Sequence, residues 1–311
     1  MVRSGQRVGN AVFKVGRSWQ NNVQFERALS DRYSFGIGAS YVKGYDLPVV
    51  TNINLINPAS TLPDGIPVFA TAINAGTRVD PRYNVINSSQ SIGESTYKNM
   101  TLQFTRRAGD GIQFDVAYTL GKSSDTAPTT GILSVQGDVG RSNPEDLEYD
   151  RGPNVLDQRH TLSASFVATP RYNGDNAVWR GLLNGTVIGI GALAANGIPI
   201  NIRATGEINN DGIGSDRPAG VPRNSLTLPA RKNVDLRLSR QIPIGRTKAE
   251  IIAEVTNIFN TVQWSGVSNA SVAVVAGTGV PVNPLPTSGD QLTPSGGYEQ
   301  RQFQLGFKFI F

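Results

Sequence analysis

The sequence predicts an all-β protein, an antiparallel up-and-down transmembrane β-barrel to which this chain contributes about nine strands. Three observations predict it. Segments of about ten residues alternate apolar and polar side chains, the period of a strand that meets different media on its two faces. The connections between these segments run short, long, short, long. The last segment, YEQRQFQLGFKFIF, puts Phe303, Leu305, Phe307, Phe309 and Phe311 on one face and Gln302, Gln304, Gly306 and Lys308 on the other. An apolar face that ends on an aromatic suits lipid on one side and water on the other.

The first strand is Ser18–Leu29, with Trp19, Val23 and Phe25 on one face. Ser30-Asp31-Arg32 turns the chain into Tyr33–Lys43, where Tyr33, Phe35, Ile37, Ala39 and Tyr41 share a face. A stretch rich in Pro, Asn and Gly follows, from Gly44 to Ser95. In Thr96–Arg107, Met100, Leu102 and Phe104 oppose Thr101, Gln103 and Thr105. Ala108-Gly109-Asp110-Gly111 is a hairpin turn of the Asp-Gly type, because both central residues must tolerate positive φ. The fourth strand is Ile112–Lys122, and a second long loop runs from Ser123 to Asp157.

Gln158–Thr169 sets Leu162, Ala164, Phe166 and Ala168 against Thr161, Ser163 and Ser165. A medium-length turn holds Pro170 and Trp179. Leu182–Ala204 is expected as one long strand, with Asn196-Gly197 as a bulge. After the loop Thr205–Ala230, the strands Arg231–Ile242 and Thr247–Phe259 flank the turn Pro243-Ile244-Gly245-Arg246. The last loop, Asn260–Gly297, leads to the ninth strand. Short periplasmic turns and long outer loops are the asymmetry of membrane barrels, and the C-terminus falls on the short-turn side. An open sheet edge is not tolerated in lipid, so about nine strands belong to a larger barrel.

Composition fits. Charged residues make up 17% of the chain, against about 25% in a typical soluble domain, and polar uncharged residues take their place. The net charge of +5 is spread out, with no basic run, which argues against nucleic-acid binding. Zero Cys rules out a disulfide scaffold and a thiolate metal site. No stretch reaches the ~18 apolar residues of a transmembrane helix. MVRSGQRVGNAVFKVG lacks the apolar core of a secretory signal, yet an outer-membrane protein is exported. The chain is therefore expected to be a fragment.

Other motifs weigh less than the strand pattern. Gly189-Ile190-Gly191-Ala192-Leu193-Ala194 fits a loose dinucleotide fingerprint, but Asn196-Gly197-Ile198-Pro199 does not continue as the required helix. No cofactor is expected. Glu207, Asn209 and Asp211, followed by Gly212, have the spacing of the first half of a calcium loop. The twelfth position is Pro218 rather than a bidentate Glu, and a turn whose Asn and Asp bond their own backbone is the plainer reading. Glu145, Asp146, Glu148 and Asp150 read as a solvated face with local ion pairs to Arg151 and Arg159.

His160 is the sole histidine, which excludes a two-histidine metal site. It reads as a residue at the outer end of the fifth strand. No catalytic residues are expected, and the protein is not expected to be an enzyme. Trp19, Tyr33, Tyr41, Tyr118, Trp264 and Phe311 lie near strand ends, where an interfacial girdle would sit. Alternation sends Arg237, Glu250 and Glu254 to the polar, lumen-facing side, since Arg on the lipid face near the midplane costs about 2–4 kcal/mol.

Family-like segments recur along the chain. They are Gln24–Pro48 with Asn52-Ile53-Asn54, Ser95–Ala127, Glu145–Ser165, Asn209–Ser225, and Asn233–Gly245 with Glu254–Asn260. In this order they resemble the C-terminal half of Oar-like TonB-dependent receptors of Gram-negative bacteria. The terminal Phe strand likewise resembles the outer-membrane insertion signal read by the barrel-assembly machinery. The resemblance implies that residues 1–311 are the C-terminal part of a 22-strand barrel in the outer membrane. It implies energised uptake or export of a large solute, coupled to TonB through a plug. The plug, the signal peptide and the N-terminal domain of such receptors have no counterpart in this chain, and the solute stays open. The alternatives are a passive porin or structural outer-membrane protein and, third, a secreted β-sandwich adhesin.

Overall fold

The computed structural model describes residues 6–9, 14–126, 141–214, 216–268 and 270–310. Nine strands form its main sheet: β1 (Arg17–Ala28), β2 (Tyr33–Asn52), β3 (Ile86–Gly109), β4 (Ile112–Asp125), β5 (His160–Ala168), β6 (Thr186–Ala195), β7 (Arg231–Ile244), β8 (Thr247–Thr256) and β9 (Gln302–Ile310). Each pairs antiparallel with its neighbours in sequence, so the sheet is an unbroken meander from β1 to β9. Two short segments join it. Gln6–Gly9 runs parallel to the start of β3, and Gly152–Pro153 pairs with the end of β4.

The register carries the alternation across the whole sheet. Phe114, Phe166, Ile190, Leu236, Val255 and Phe303 stand opposite one another from β4 to β9. One residue along, Arg237, Glu254 and Gln304 form a polar row on the other face, which Gly189 and Val167 continue. A slip of one residue in any strand would exchange the two faces, so this agreement fixes the register. Nothing among the described residues covers the apolar face. Leu305 is 84% exposed and Phe303 73%. Phe307 and Phe309 lie on the same face of β9 and pack edge to face at 4.6 Å between ring centroids. Phe311 lies outside the described residues.

The tight turns follow from their residues. Asp110 and Gly111 both take positive φ, 47° and 75°, and close the β3–β4 hairpin. Gly245, at φ 61°, closes β7–β8, with Pro243 and Ile244 still inside the strand. The β5–β6 connection contains a helix, α1 (Ala177–Leu183), that alternation did not reveal. The Asn176 side chain accepts from the backbone N–H groups of Val178 (3.0 Å) and Trp179 (3.2 Å), capping its first turn. Arg240 of β7 donates to the Leu182 carbonyl at 3.1 Å, satisfying the other end.

Three expectations need correction. β2 and β3 run past Lys43 and start before Thr96, reaching Asn52 and Ile86. Their outer parts lose the two-residue pattern because loops and water meet both faces, and a register shift at Gly44–Pro48 breaks the phase. The sixth strand is Thr186–Ala195, not Leu182–Ala204. Leu182 belongs to α1, and Asn196-Gly197 ends the strand instead of bulging it. At Gly197 a Cβ would lie 1.8 Å from the Leu228 carbonyl oxygen, so only Gly lets the chain leave the sheet there. Trp264 is not at a strand end of the main sheet. It opens a small hairpin, Trp264–Ser268 with Thr293–Gly297, and packs on an apolar cluster in the loops.

The long connections all leave one end of the sheet, and the buried core sits there. Ile200, Ile202, Val221, Leu226, Leu228 and Val267 form its apolar part. Its larger part is polar, and it includes Arg217, Arg223, Asn54, Asn201, Asn209 and Asp150, all under 2% exposed.

Candidate functional site

Two polar surfaces carry chemistry: the polar face of the sheet and the buried network of the outer loops. On the sheet, Asp115 accepts from Thr105 Oγ1 (2.6 Å) and Gln103 Nε2 (2.7 Å), and Thr101 and Thr119 bond across the strands at 2.9 Å. Arg237 pairs with Glu254 directly opposite. Glu250 stands between Gln241 and Lys308 in the register. Gly189 and Gly191 leave the polar face bare beside Arg237 and Asp235, and a groove of about 560 Å³ opens over them. The described residues of the polar face offer donors, acceptors and the Arg237–Glu254 ion pair.

At the outer end, the loops are joined by buried charge. Arg217 donates to Asp150 Oδ1 at 2.6 Å, to the Tyr149 carbonyl at 3.1 Å and to the Val221 carbonyl at 3.2 Å. Its guanidinium also lies over the Tyr149 ring, 5.1 Å from the centroid. Arg141 donates to Thr51 Oγ1 at 2.9 Å and approaches Asp150 Oδ2 at 3.9 Å. Burial pushes the Arg141 pKa down, and Asp150 opposes that shift. Arg223 is paired with Asp125. Tyr149 donates its hydroxyl to Asp64 at 2.6 Å, and burial together with that carboxylate raises its pKa.

This network revises the acidic cluster. Glu148 is exposed and pairs with Arg151 at 2.5 Å, as a solvated face would. Asp150 is fully buried and holds Arg217. Sequence reading missed it because its partner is 67 residues away. The signal was the pair of segments quoted above for their resemblance: Asp150 sits in one and Arg217 in another.

The calcium-type spacing folds as a turn. Glu207 Oε1 accepts the Gly212 N–H, Asn209 Oδ1 the Asp211 N–H at 3.1 Å, and Asp211 Oδ1 the Ile213 N–H at 2.7 Å. Among the described residues no three His, Cys, Asp or Glu side chains are grouped to hold a metal ion. His160 lies at the outer end of β5, where its Nδ1 meets the Tyr118 hydroxyl at 2.6 Å. Trp19 and Tyr41 meet edge to face at 5.9 Å on the outer part of β1 and β2.

These features fit a membrane barrel wall with folded outer loops, and a family comparison decides the matter. The model of the outer membrane beta barrel domain matches residues 3–222. The chain belongs to that family. It is an outer-membrane β-barrel protein and not an enzyme.

Two solved structures with TM-scores of 0.50 or more share the fold. The outer membrane transporter YddB from Escherichia coli superposes with a TM-score of 0.56 at 12% identity, over 99% of this chain and 34% of that one. The FpvAI–pyocin S2 complex gives 0.50 at 11% identity, over 96% and 28%. The FrpB iron transporter from Neisseria meningitidis gives 0.47 at 14% identity, over 98% and 33%. The chain thus spans about a third of the length of these structures. No curated protein matches the chain.

Proposed function

We propose that the chain is the C-terminal part of the barrel of an Oar-like TonB-dependent receptor, which moves a large solute across the outer membrane with energy delivered through TonB. The observation that carries this reading is the pair of open sheet edges. Among the described residues, no main-sheet strand pairs with the outer side of β1 or of β9. All twelve residues of β1 are exposed. Unpaired N–H and C=O groups cannot face lipid, so further strands must close the sheet. The superposition on about a third of a transporter supports the same view, since the remaining strands and a plug fit into the remaining length.

On this reading Arg237, Glu250 and Glu254 face the lumen, where they meet a plug or passing solute. The loop network holds the outer vestibule in one shape. Phe303, Leu305, Phe307, Phe309 and Phe311 serve recognition by the barrel-assembly machinery. The test is isolation of the native polypeptide from outer membranes with an antibody to this chain, followed by crosslinking to TonB. The expected result is a polypeptide about three times longer that crosslinks to TonB. A polypeptide of this chain's length that forms passive channels would overturn the reading in favour of a porin.

A further inference from the structure

The loop around Asp211 holds two acidic side chains that the barrel wall does not explain. Asp211 is 0% exposed and Asp216 is 1% exposed. Each uses one carboxylate oxygen to organise the loop. Asp211 Oδ1 accepts the Ile213 N–H at 2.7 Å, and Asp216 Oδ2 accepts the Ile208 N–H at 2.8 Å. The other oxygens, Asp211 Oδ2 and Asp216 Oδ1, are buried without a hydrogen-bond partner among the described residues. A buried carboxylate oxygen with no donor is costly, and two neighbouring carboxylates repel as well.

The nearby arginines are engaged elsewhere. Arg217 is bound to Asp150 and to two carbonyls, and Arg141 is bound to Thr51 through Nη1, its buried Nε making no hydrogen bond among the described residues. Among the described residues no arginine is paired with either carboxyl, and Arg141 and Arg217 act on Asp211 and Asp216 only from a distance.

We propose that Asp211 Oδ2 and Asp216 Oδ1 are the anionic ligands of a divalent-cation site of the calcium type, which ties the outer loops together. Buried oxygen donors suit a hard cation and not a soft transition metal. The site differs from the one the sequence spacing names, because Glu207 and Asn209 are spent on backbone N–H groups. With two carboxylates, main-chain carbonyls and water complete the coordination, as calcium permits. Affinity on the order of 10⁻⁴–10⁻³ M, that of extracellular calcium modules, is expected.

The loop's position gives the ion a role. Asn52 at the end of β2 donates to the Asp211 carbonyl at 2.5 Å, the Phe69 N–H donates to the Asn209 carbonyl at 2.8 Å, and Asn209 Nδ2 donates to the Ser142 carbonyl at 3.1 Å. Two other outer connections, β2–β3 and β4–β5, thus meet the loop that would hold the cation. The inference stands whether or not the barrel is driven by TonB.

The test is equilibrium dialysis of radioactive calcium against the native full-length protein in detergent at pH 8. One bound ion per molecule is expected, at least tenfold weaker binding in Asp211→Asn and in Asp216→Asn, and unchanged binding in Glu207→Gln. Hydrogen exchange on the wild type checks the location without relying on a variant that folds, and calcium is expected to protect amides 206–217. Protection confined to other segments would overturn the site. So would no bound ion in the wild type, or unchanged binding in both folded Asp variants. A wild type that binds none, with Asp211→Asn melting at higher temperature, would show instead that the two carboxyls share a proton.

Discussion

At the scale of single residues, the two faces make opposite demands on neighbours in one strand. Leu236 stands in the apolar row between Ile190 and Val255, and Arg237 in the polar row between Gly189 and Glu254. Leu236→Arg places a charge in lipid, at about 2–4 kcal/mol near the midplane. It is expected to abolish outer-membrane insertion. Arg237→Leu gives up a partly exposed ion pair, worth about 1 kcal/mol or less. It is expected to insert at near wild-type yield. Equal yields for the two variants in purified outer membranes would contradict the face assignment.

Asp211 and Asp216 make a second residue-scale prediction. With raised pKa values, the folded loop of the calcium-free protein holds protons that the unfolded loop has released, from about pH 4 up to about 7 for Asp216 and about 8 for Asp211. Stability rises with pH only where the unfolded state binds more protons, so here it must fall as pH rises through that window. The slope is on the order of 1 kcal/mol per pH unit. Hydrogen exchange of amides 206–217 in chelator, corrected for intrinsic rates, should report easier opening at pH 8 than at pH 5. Rising protection over that range would refute the shifts.

At the scale of elements, legibility followed the medium around each strand. β4, β5, β8 and β9 alternate apolar and polar side chains along most of their length, and their limits were readable to within a few residues. The outer halves of β2 and β3 lie among loops, where no two-residue pattern is demanded, and the sequence reading stopped short of them. α1 escaped because seven residues are too few to establish a helical period. The buried ion pairs Asp150–Arg217 and Asp125–Arg223 escaped for a different reason, since they join residues that only the fold brings together.

The turns were legible because Asp-Gly specifies positive φ. At Gly111 the demand is double: φ is 75°, and a Cβ would lie 2.3 Å from the Thr169 carbonyl oxygen. Gly111→Ala should destabilise the β3–β4 hairpin by more than about 1 kcal/mol. The change should appear as a lower temperature of heat-modified mobility on gel electrophoresis. An unchanged transition would mean that the turn relaxes at no cost.

At the scale of the molecule, the meander is a wall with two media. One face carries the aromatic and aliphatic rows from Phe114 to Phe303, and the other carries Asp115, Arg237, Glu250 and Glu254. The outer loops add a buried polar cap that a bare barrel does not need, and its ion pairs hold the loops in one arrangement. Breaking either buried pair leaves an uncompensated charge and costs about 3–5 kcal/mol. The cap is therefore expected to behave as a rigid rim above a water-facing wall. On the proposed reading, strands of the same polypeptide close the two open edges into the receptor barrel.

The most direct test of this two-faced wall uses the absence of Cys from the sequence. Single cysteines are placed in turn at positions 233 to 239 along β7 in the native protein, in intact outer membranes. Each is labelled with a water-soluble and with a lipid-soluble maleimide. The wall predicts a strict two-residue period: Asn233, Asp235, Arg237 and Ser239 positions react from water, and Val234, Leu236 and Leu238 positions from lipid. Uniform reaction from water along all seven positions would contradict it and leave a strand that meets no membrane.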